Sequence, residues 1–236
     1  MNRIWLLSAL EAKKIGRDQF LTLIASIPVL LALLARFGIP AVRVWLLAVL
    51  DLAEHYAFIM SVLAMMTPAM FGWVIGFMLL DDKDEDILSY MAVTPLRRTG
   101  YLGFKTIVPA IFSFIYTYGI LAVAGLTRMR PLQLLPVAAM AALETPIFAL
   151  MLATLANNKV EGLAIAKLAG LVFVAPFVGY LISSPWAYIA GILPTFWISR
   201  SYLASGSQYM ISIAVGLVIH AVYLHFLLQI FRRRNR

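Results

Sequence analysis

The sequence predicts an all-α membrane protein with six transmembrane helices, and three observations carry that reading. Of 236 residues, 63% are hydrophobic and 13% charged, well short of the roughly one-quarter charged share of a soluble domain. Six apolar stretches each approach or exceed the about 20 residues that cross a hydrocarbon core of roughly 30 Å. Basic residues concentrate at alternate junctions between those stretches, as expected of a chain that sorts its loops by charge.

Residues 1–18 read as an interfacial elbow. Trp5 is a natural interface anchor, Arg3, Lys13, Lys14 and Arg17 suit anionic headgroups, and the short run Ile4 to Leu10 is followed at once by Glu11 rather than by a cleavage site. The first span covers about Phe20 to Phe37 and the second about Tyr56 to Leu80, the latter without a charge. A polar segment, 81–105, separates them from a third span at about Thr106 to Leu126. The fourth follows at about Leu132 to Ala156, so these two form an antiparallel hairpin.

Asn157 to Lys167 reads as another polar turn, the fifth span as about Leu168 to Ser184, and the sixth as about Tyr209 to Phe231, before a run of arginines. Between the last two spans lies the segment 186–200. Its apolar run, Trp186 to Ser199, is broken by Gly191 and Pro194 and is too short to cross, so it is expected to be re-entrant. Pro28, Pro68, Pro109, Pro146 and Pro176 predict kinks in the first five spans, tolerable where neighbouring helices satisfy freed carbonyls.

The N-terminal segment, 81–105, 157–167 and the tail carry 14 Lys and Arg, against five at the other junctions. That asymmetry places both termini in the cytoplasm of a multi-pass protein, expected in a cytoplasmic (inner) membrane. The same sorting accounts for the net charge of +8 without nucleic acid. With no cysteine, thiolate metal sites, iron–sulfur ligation, disulfides and cysteine nucleophiles are excluded.

The segment 81–105 has an internal grammar. It opens on Asp81, Asp82, Lys83, Asp84, Glu85 and Asp86. The acids suit the first turn of a short helix over Asp84 to Val93, Ile87, Leu88 and Met91 fall on one face, and Thr94 with Pro95 ends it. Such a helix projects from the membrane with an apolar face directed at a cytosolic partner. The alternative is a solvated loop whose acids keep it out of lipid. A calcium loop is excluded because the glycine it needs is Ile87 and its twelfth position is Val93. A phosphate loop is excluded because no glycine directly precedes Lys105.

Within the membrane, Glu144 stands mid-span beside Thr145 and Pro146, where an ionised carboxylate costs at least about 2.5 kcal/mol. Either it lines a cavity for a cationic or hydrogen-bonding substrate, or it is a structural glutamate hydrogen-bonded to another helix, with His220 as one candidate partner. His220 and His225 are rotated roughly 140° apart on a helix and do not form one metal site. His55, beside Asp51 and Glu54, reads as a solvated loop residue.

Asp84-Glu85-Asp86-Ile87-Leu88-Ser89, then Val93-Thr94-Pro95-Leu96-Arg97-Arg98, then Tyr101 through Lys105 resemble the cytoplasmic loop of permease subunits of type-2 ABC exporters. The loop is most similar to that of small drug-export permeases, including fluoroquinolone exporters. The elbow, the six spans and the broken segment Ile192-Leu193-Pro194-Thr195-Phe196-Trp197 extend the resemblance over nearly the whole chain. One departure is that family members often carry Glu-Gly-Thr after the acidic cluster, where this chain has Asp86-Ile87-Leu88.

The resemblance implies that 1–236 is a single transmembrane permease domain and half of a dimeric path for a hydrophobic or amphiphilic substrate, drug or lipid-like. It implies two copies of a separate ATP-binding subunit, which would hold the ATP and magnesium and dock on Asp84, Glu85, Asp86, Ile87, Leu88, Met91, Thr94 and Pro95. The second permease would be identical or related. It also implies a substrate path past Glu144 and His220 and an outer gate at Pro194, Phe196 and Trp197. The chain itself would bind no cofactor and catalyse no reaction. Two other readings stay open: an intramembrane enzyme using Glu144 and His220, though no HExxH pair or Gly-x-Ser-x-Gly elbow accompanies them, and a component of a haem-export or assembly complex.

Overall fold

Second-span glycines and fourth-span side chains set the centre of the molecule. The computed structural model describes residues 19–94, 97–127 and 129–234, and every regular element among them is helical. A Cβ on Gly72 would lie 2.7 Å from Phe148 Cβ and from the Thr145 carbonyl, and one on Gly76 would lie 2.7 Å from Leu152. Their Gly-xxx-Gly spacing is the pattern by which membrane helices approach closely and gain dispersion contacts. Thr145 Oγ1 adds a 3.0 Å hydrogen bond to the Pro68 carbonyl across the same contact.

Among the described residues, six helices are long and apolar enough to cross a membrane: Ser26–Leu46, Leu52–Asp84, Gly100–Ala124, Pro131–Leu155, Lys159–Leu181 and Gly206–Arg234. The second and fourth are 67% and 72% buried, the others between 17% and 28%. Four spans therefore ring a central pair and present apolar surface outwards. The chain is an all-α membrane protein, as the composition predicts.

Several boundaries differ from the sequence expectation. The first span runs past Phe37 through a π-helical turn, Leu34–Gly38, into the helix Ile39–Leu46. Pro40 at the start of that helix lacks the amide that a regular ladder needs, and the wider turn accommodates the loss. The polar turn expected over Asn157 to Lys167 is already helical from Lys159. Asn158 accepts a bond from the Glu161 amide, and Glu161 reaches back to the Asn157 amide at 2.8 Å, a reciprocal cap that starts a helix despite its charges.

Pro28, Pro68 and Pro109 lie inside continuous helices. The fourth span breaks at Leu143, between Pro131–Ala142 and Glu144–Leu155, just ahead of Pro146. The fifth passes through a 3-10 turn, Gly170–Phe173, ahead of Pro176.

The residues 1–18, which include the expected elbow, lie outside the described residues. At the end of the bundle opposite 81–105, Arg43 grips Asp51 through two hydrogen bonds of 2.6 and 2.9 Å. That guanidinium, with the Ala53 amide, holds the Asp51 carboxyl at about 2, well below the usual carboxylate range. His55 is not a free loop residue. Its Nδ1 lies 2.6 Å from Tyr180 OH, and Tyr180 stacks on Phe58, which fastens the second span to the fifth.

Candidate functional site

Two buried charges close the base of the 81–105 loop. Lys105 Nζ lies 3.1 Å from Asp82 Oδ2, with both side chains only 2% exposed. Tyr101 OH donates to the same oxygen at 2.8 Å, and the ammonium stands 5.5 Å from the Tyr101 ring centre. Charges taken this far from water persist only when paired and hydrogen-bonded. The cluster bolts the last turn of the second span to the first turns of the third. Sequence reasoning had both residues, Asp82 among the acids and Lys105 at the re-entry, without joining them.

The loop helix is shorter than expected. The second span continues through Asp84, and the separate helix is Ile87–Ala92. Asp81, Asp82 and Asp84 therefore finish a long helix instead of starting a short one. A helix C-terminus disfavours acids, and here cations offset that: Asp81 meets Lys159 at 2.6 Å and Asp82 meets Lys105. Asp86, at φ 55°, takes the left-handed turn between the two helices, a conformation in which Asp is tolerated better than most non-glycine residues.

Ile87 and Met91 turn inwards. They pack on a cluster containing Met78 and Leu79 of the second span, Tyr101 and Leu102 of the third, Leu150 of the fourth and Phe231 of the sixth. Among the described residues of this loop, the exposed apolar side chains are Tyr90 and Val93, 70% and 87% exposed, beside exposed Asp84, Glu85 and Asp86. Thr94 Oγ1 donates to the Met91 carbonyl at 2.9 Å and closes the helix end. Pro95 lies outside the described residues, as does the side chain of Leu88.

A second set of ties surrounds this base. Lys83 Nζ donates to the Ala156 carbonyl at 3.3 Å, and Arg234 donates to the Thr154 carbonyl and to Asn157 Oδ1. The turn between the fourth and fifth spans is thus held by the ends of the second and the sixth.

Deeper in the bundle, Glu144 is fully buried and neither carboxyl oxygen has a hydrogen-bond partner. His220 is also fully buried; its Nδ1 lies 2.7 Å from the Gly216 carbonyl, while its Nε2 has no partner. Met140 of the fourth span lies against Gly216 of the sixth. The two spans run in the same direction, and one turn further along each stand Glu144 and His220, at a common depth but not hydrogen-bonded to each other. Ser113 Oγ and Thr117 Oγ1 of the third span are likewise buried without partners. His225 faces outwards, its Nε2 2.7 Å from Gln229.

The segment 186–200 forms the 3-10 helix Pro185–Ile192 and the start of the helix Pro194–Leu203. Thr195 Oγ1 donates to the Val172 carbonyl, well inside the fifth span, whereas Tyr202 lies 2.7 Å from Thr127 in the turn at the bundle's end. The segment therefore dips into the bundle and returns to the same end. Phe196 packs against Gly179, Trp197 Nε1 donates to the Gly191 carbonyl at 2.6 Å, and Ser199 meets Ser61 at 2.9 Å. Pro194 and Phe196 are buried at the turn.

Among the described residues, no three His, Cys, Asp or Glu side chains gather closely enough to hold a metal ion. What the arrangement offers instead is mechanical and electrostatic: a loop helix packed on a core that includes Tyr101, the hydrogen-bond partner of the buried Asp82, and buried polar atoms of Ser113, Thr117, Glu144 and His220 that have no partner among the described residues.

A family model described as "Fluoroquinolones export permease protein Rv2686c-like" matches residues 11–228. Two curated relatives are the fluoroquinolones export permease protein MT2760 of Mycobacterium tuberculosis strain CDC 1551 / Oshkosh and the fluoroquinolones export permease protein Rv2686c of strain ATCC 25618 / H37Rv. Each is 26% identical over 155 residues, 64% of this chain and 62% of the relative. The match thus spans somewhat less than two thirds of those relatives' length.

Proposed function

This chain belongs to the Rv2686c-like family of fluoroquinolones export permease proteins, and we propose that it is the transmembrane permease subunit of an ATP-driven exporter. Its substrate is a hydrophobic or amphiphilic molecule, with the fluoroquinolones in its relatives' names as the first class to test. It forms half of a dimeric path with a second permease, identical or related. Two ATP-binding subunits supply hydrolysis, and ATP and magnesium belong to them. The protein lies in the cytoplasmic membrane with the 81–105 end in the cytoplasm, which the 14-to-five distribution of Lys and Arg supports.

The observation that carries this reading is the seat of the loop helix. Tyr90, Val93, Asp84 and Glu85 face outwards for a partner, while Ile87 and Met91 rest on a core shared by four spans. Directly beneath, Asp82, Tyr101 and Lys105 bind the second and third spans into one lever. A displacement of the loop helix by a partner then moves the central helix pair instead of bending a slack loop. Residues 81–105 are the coupling loop, 1–18 the interfacial elbow and 186–200 the re-entrant outer gate, turning at Pro194, Phe196 and Trp197. Glu144 and His220 supply the polar lining that a substrate satisfies when the protomers part.

The test is co-purification of this chain with its ATP-binding subunit, for wild type and for Tyr90→Asp with Val93→Asp. Both side chains are exposed, so the fold is preserved. Association lost in the double variant while membrane insertion is unchanged supports the reading; absence of association in wild type as well would sink it.

A further inference from the structure

An open trough of about 1010 Å³ runs along the outside of the bundle between the third, fourth and sixth spans. It exists because facing positions are small: Gly103 and Ala110 on the third span, Ala139 and Ala142 on the fourth. A Cβ placed on Gly103 would meet nothing within 4 Å. Ile107 and Ile111 on its wall are 61% and 54% exposed, and no described residue covers them. Within a bilayer such a space is filled, because an empty one forfeits dispersion contacts along its whole lining.

Charge identifies the occupant. The trough is apolar along its length and ends at Arg232, whose guanidinium is exposed and has no carboxylate partner among the described residues. Of the neighbouring cations, Lys105 is engaged by Asp82 and Arg234 by Thr154 and Asn157. From Leu224 to Arg232 the sixth span rises about 12 Å, close to one leaflet of a hydrocarbon core of roughly 30 Å. We propose that the trough is a binding site for an anionic phospholipid of the leaflet at the 81–105 end, with acyl chains beside Gly103 and Ile107 and phosphate at Arg232. The lipid would bridge the third and sixth spans beside the loop helix. This holds whether or not the export reading does, since it rests only on a chain that spans a bilayer.

Native mass spectrometry of the purified chain titrated with dioleoyl phosphatidylglycerol or dioleoyl phosphatidylcholine tests it. Wild type should prefer phosphatidylglycerol. Arg232→Gln should weaken that lipid about fivefold, the contribution of one basic residue at an anionic surface, and leave phosphatidylcholine unchanged. Gly103→Phe fills the trough and should remove binding of both, whereas Gly119→Phe, which also points into open space but lies outside the trough, should not. Equal binding of the two lipids by wild type, or undiminished phosphatidylglycerol binding by Gly103→Phe, overturns the proposal. So does a dimer that Gly103→Phe splits into monomers, which would make a second copy the occupant.

Discussion

Lys105→Met removes one partner of the buried ion pair and leaves Asp82 with the Tyr101 hydroxyl as its remaining side-chain partner among the described residues. Both side chains are 2% exposed and the ions are 3.1 Å apart, so the remaining carboxylate cannot recover its lost partner from water. Breaking a buried pair from one side costs about 3–5 kcal/mol, a large fraction of the roughly 5–15 kcal/mol that keeps a domain folded. Replacing both, Asp82→Leu with Lys105→Met, should return stability to within about 1 kcal/mol of wild type or above it, since apolar residues of similar volume often equal a buried pair. Chemical unfolding in detergent micelles followed by circular dichroism measures all four corners of the cycle. A single variant as stable as wild type would mean that water reaches the pair and that the base of the loop is not a rigid bolt. If the double variant is stable but transport driven by the proposed ATP-binding subunit is lost, the pair serves coupling and not merely folding.

Glu144→Met should raise stability by about 1–3 kcal/mol, because it removes a buried carboxyl without a partner, while Glu144→Gln should impair transport of some substrates only; a destabilised methionine variant would reveal a partner for the carboxyl. Gly72→Ala should cost about 1–3 kcal/mol through its approach to Phe148 and the Thr145 carbonyl, whereas Gly119→Ala, in open space, should be neutral or stabilising by up to about 1 kcal/mol, and equal effects would refute the close packing. The Arg43–Asp51 clamp should be complete above pH 3.8 and lost as the pH falls towards about 2, because the folded carboxyl titrates below its ordinary value. Hydrogen exchange of residues 43–53 should rise over that interval in wild type and be independent of pH there in Asp51→Asn, after correction for intrinsic exchange; an unchanged wild type would show that the clamp does not order the turn.

The fold class and the number of spans were legible in the sequence, because hydropathy is a local property and a bilayer demands one long apolar helix per crossing. The special character of 81–105 was legible as well. The Gly72 and Gly76 spacing is also a local signal for close helix approach. Helix ends were less legible. Asp84 to Val93 looked like one helix because acids suit a first turn, yet the cations that let those acids finish the preceding helix come from Lys105 and Lys159, distant in the sequence.

What the sequence by itself determined is an all-α membrane chain with a marked polar loop, a broken apolar segment before its last span and a glutamate in the bilayer. Only the tertiary structure decided that Asp82 pairs with Lys105 under Tyr101, that Ile87 and Met91 face inwards while Tyr90 and Val93 face outwards, and that Glu144 and His220 are both fully buried at a common depth. The physical reason is common to all three. A helix of six residues carrying apolar groups can bury them against its own bundle or against a partner, and a charge pairs with whichever opposite charge the packing brings within reach. Both outcomes depend on how the ends of separate spans converge, which no local pattern specifies.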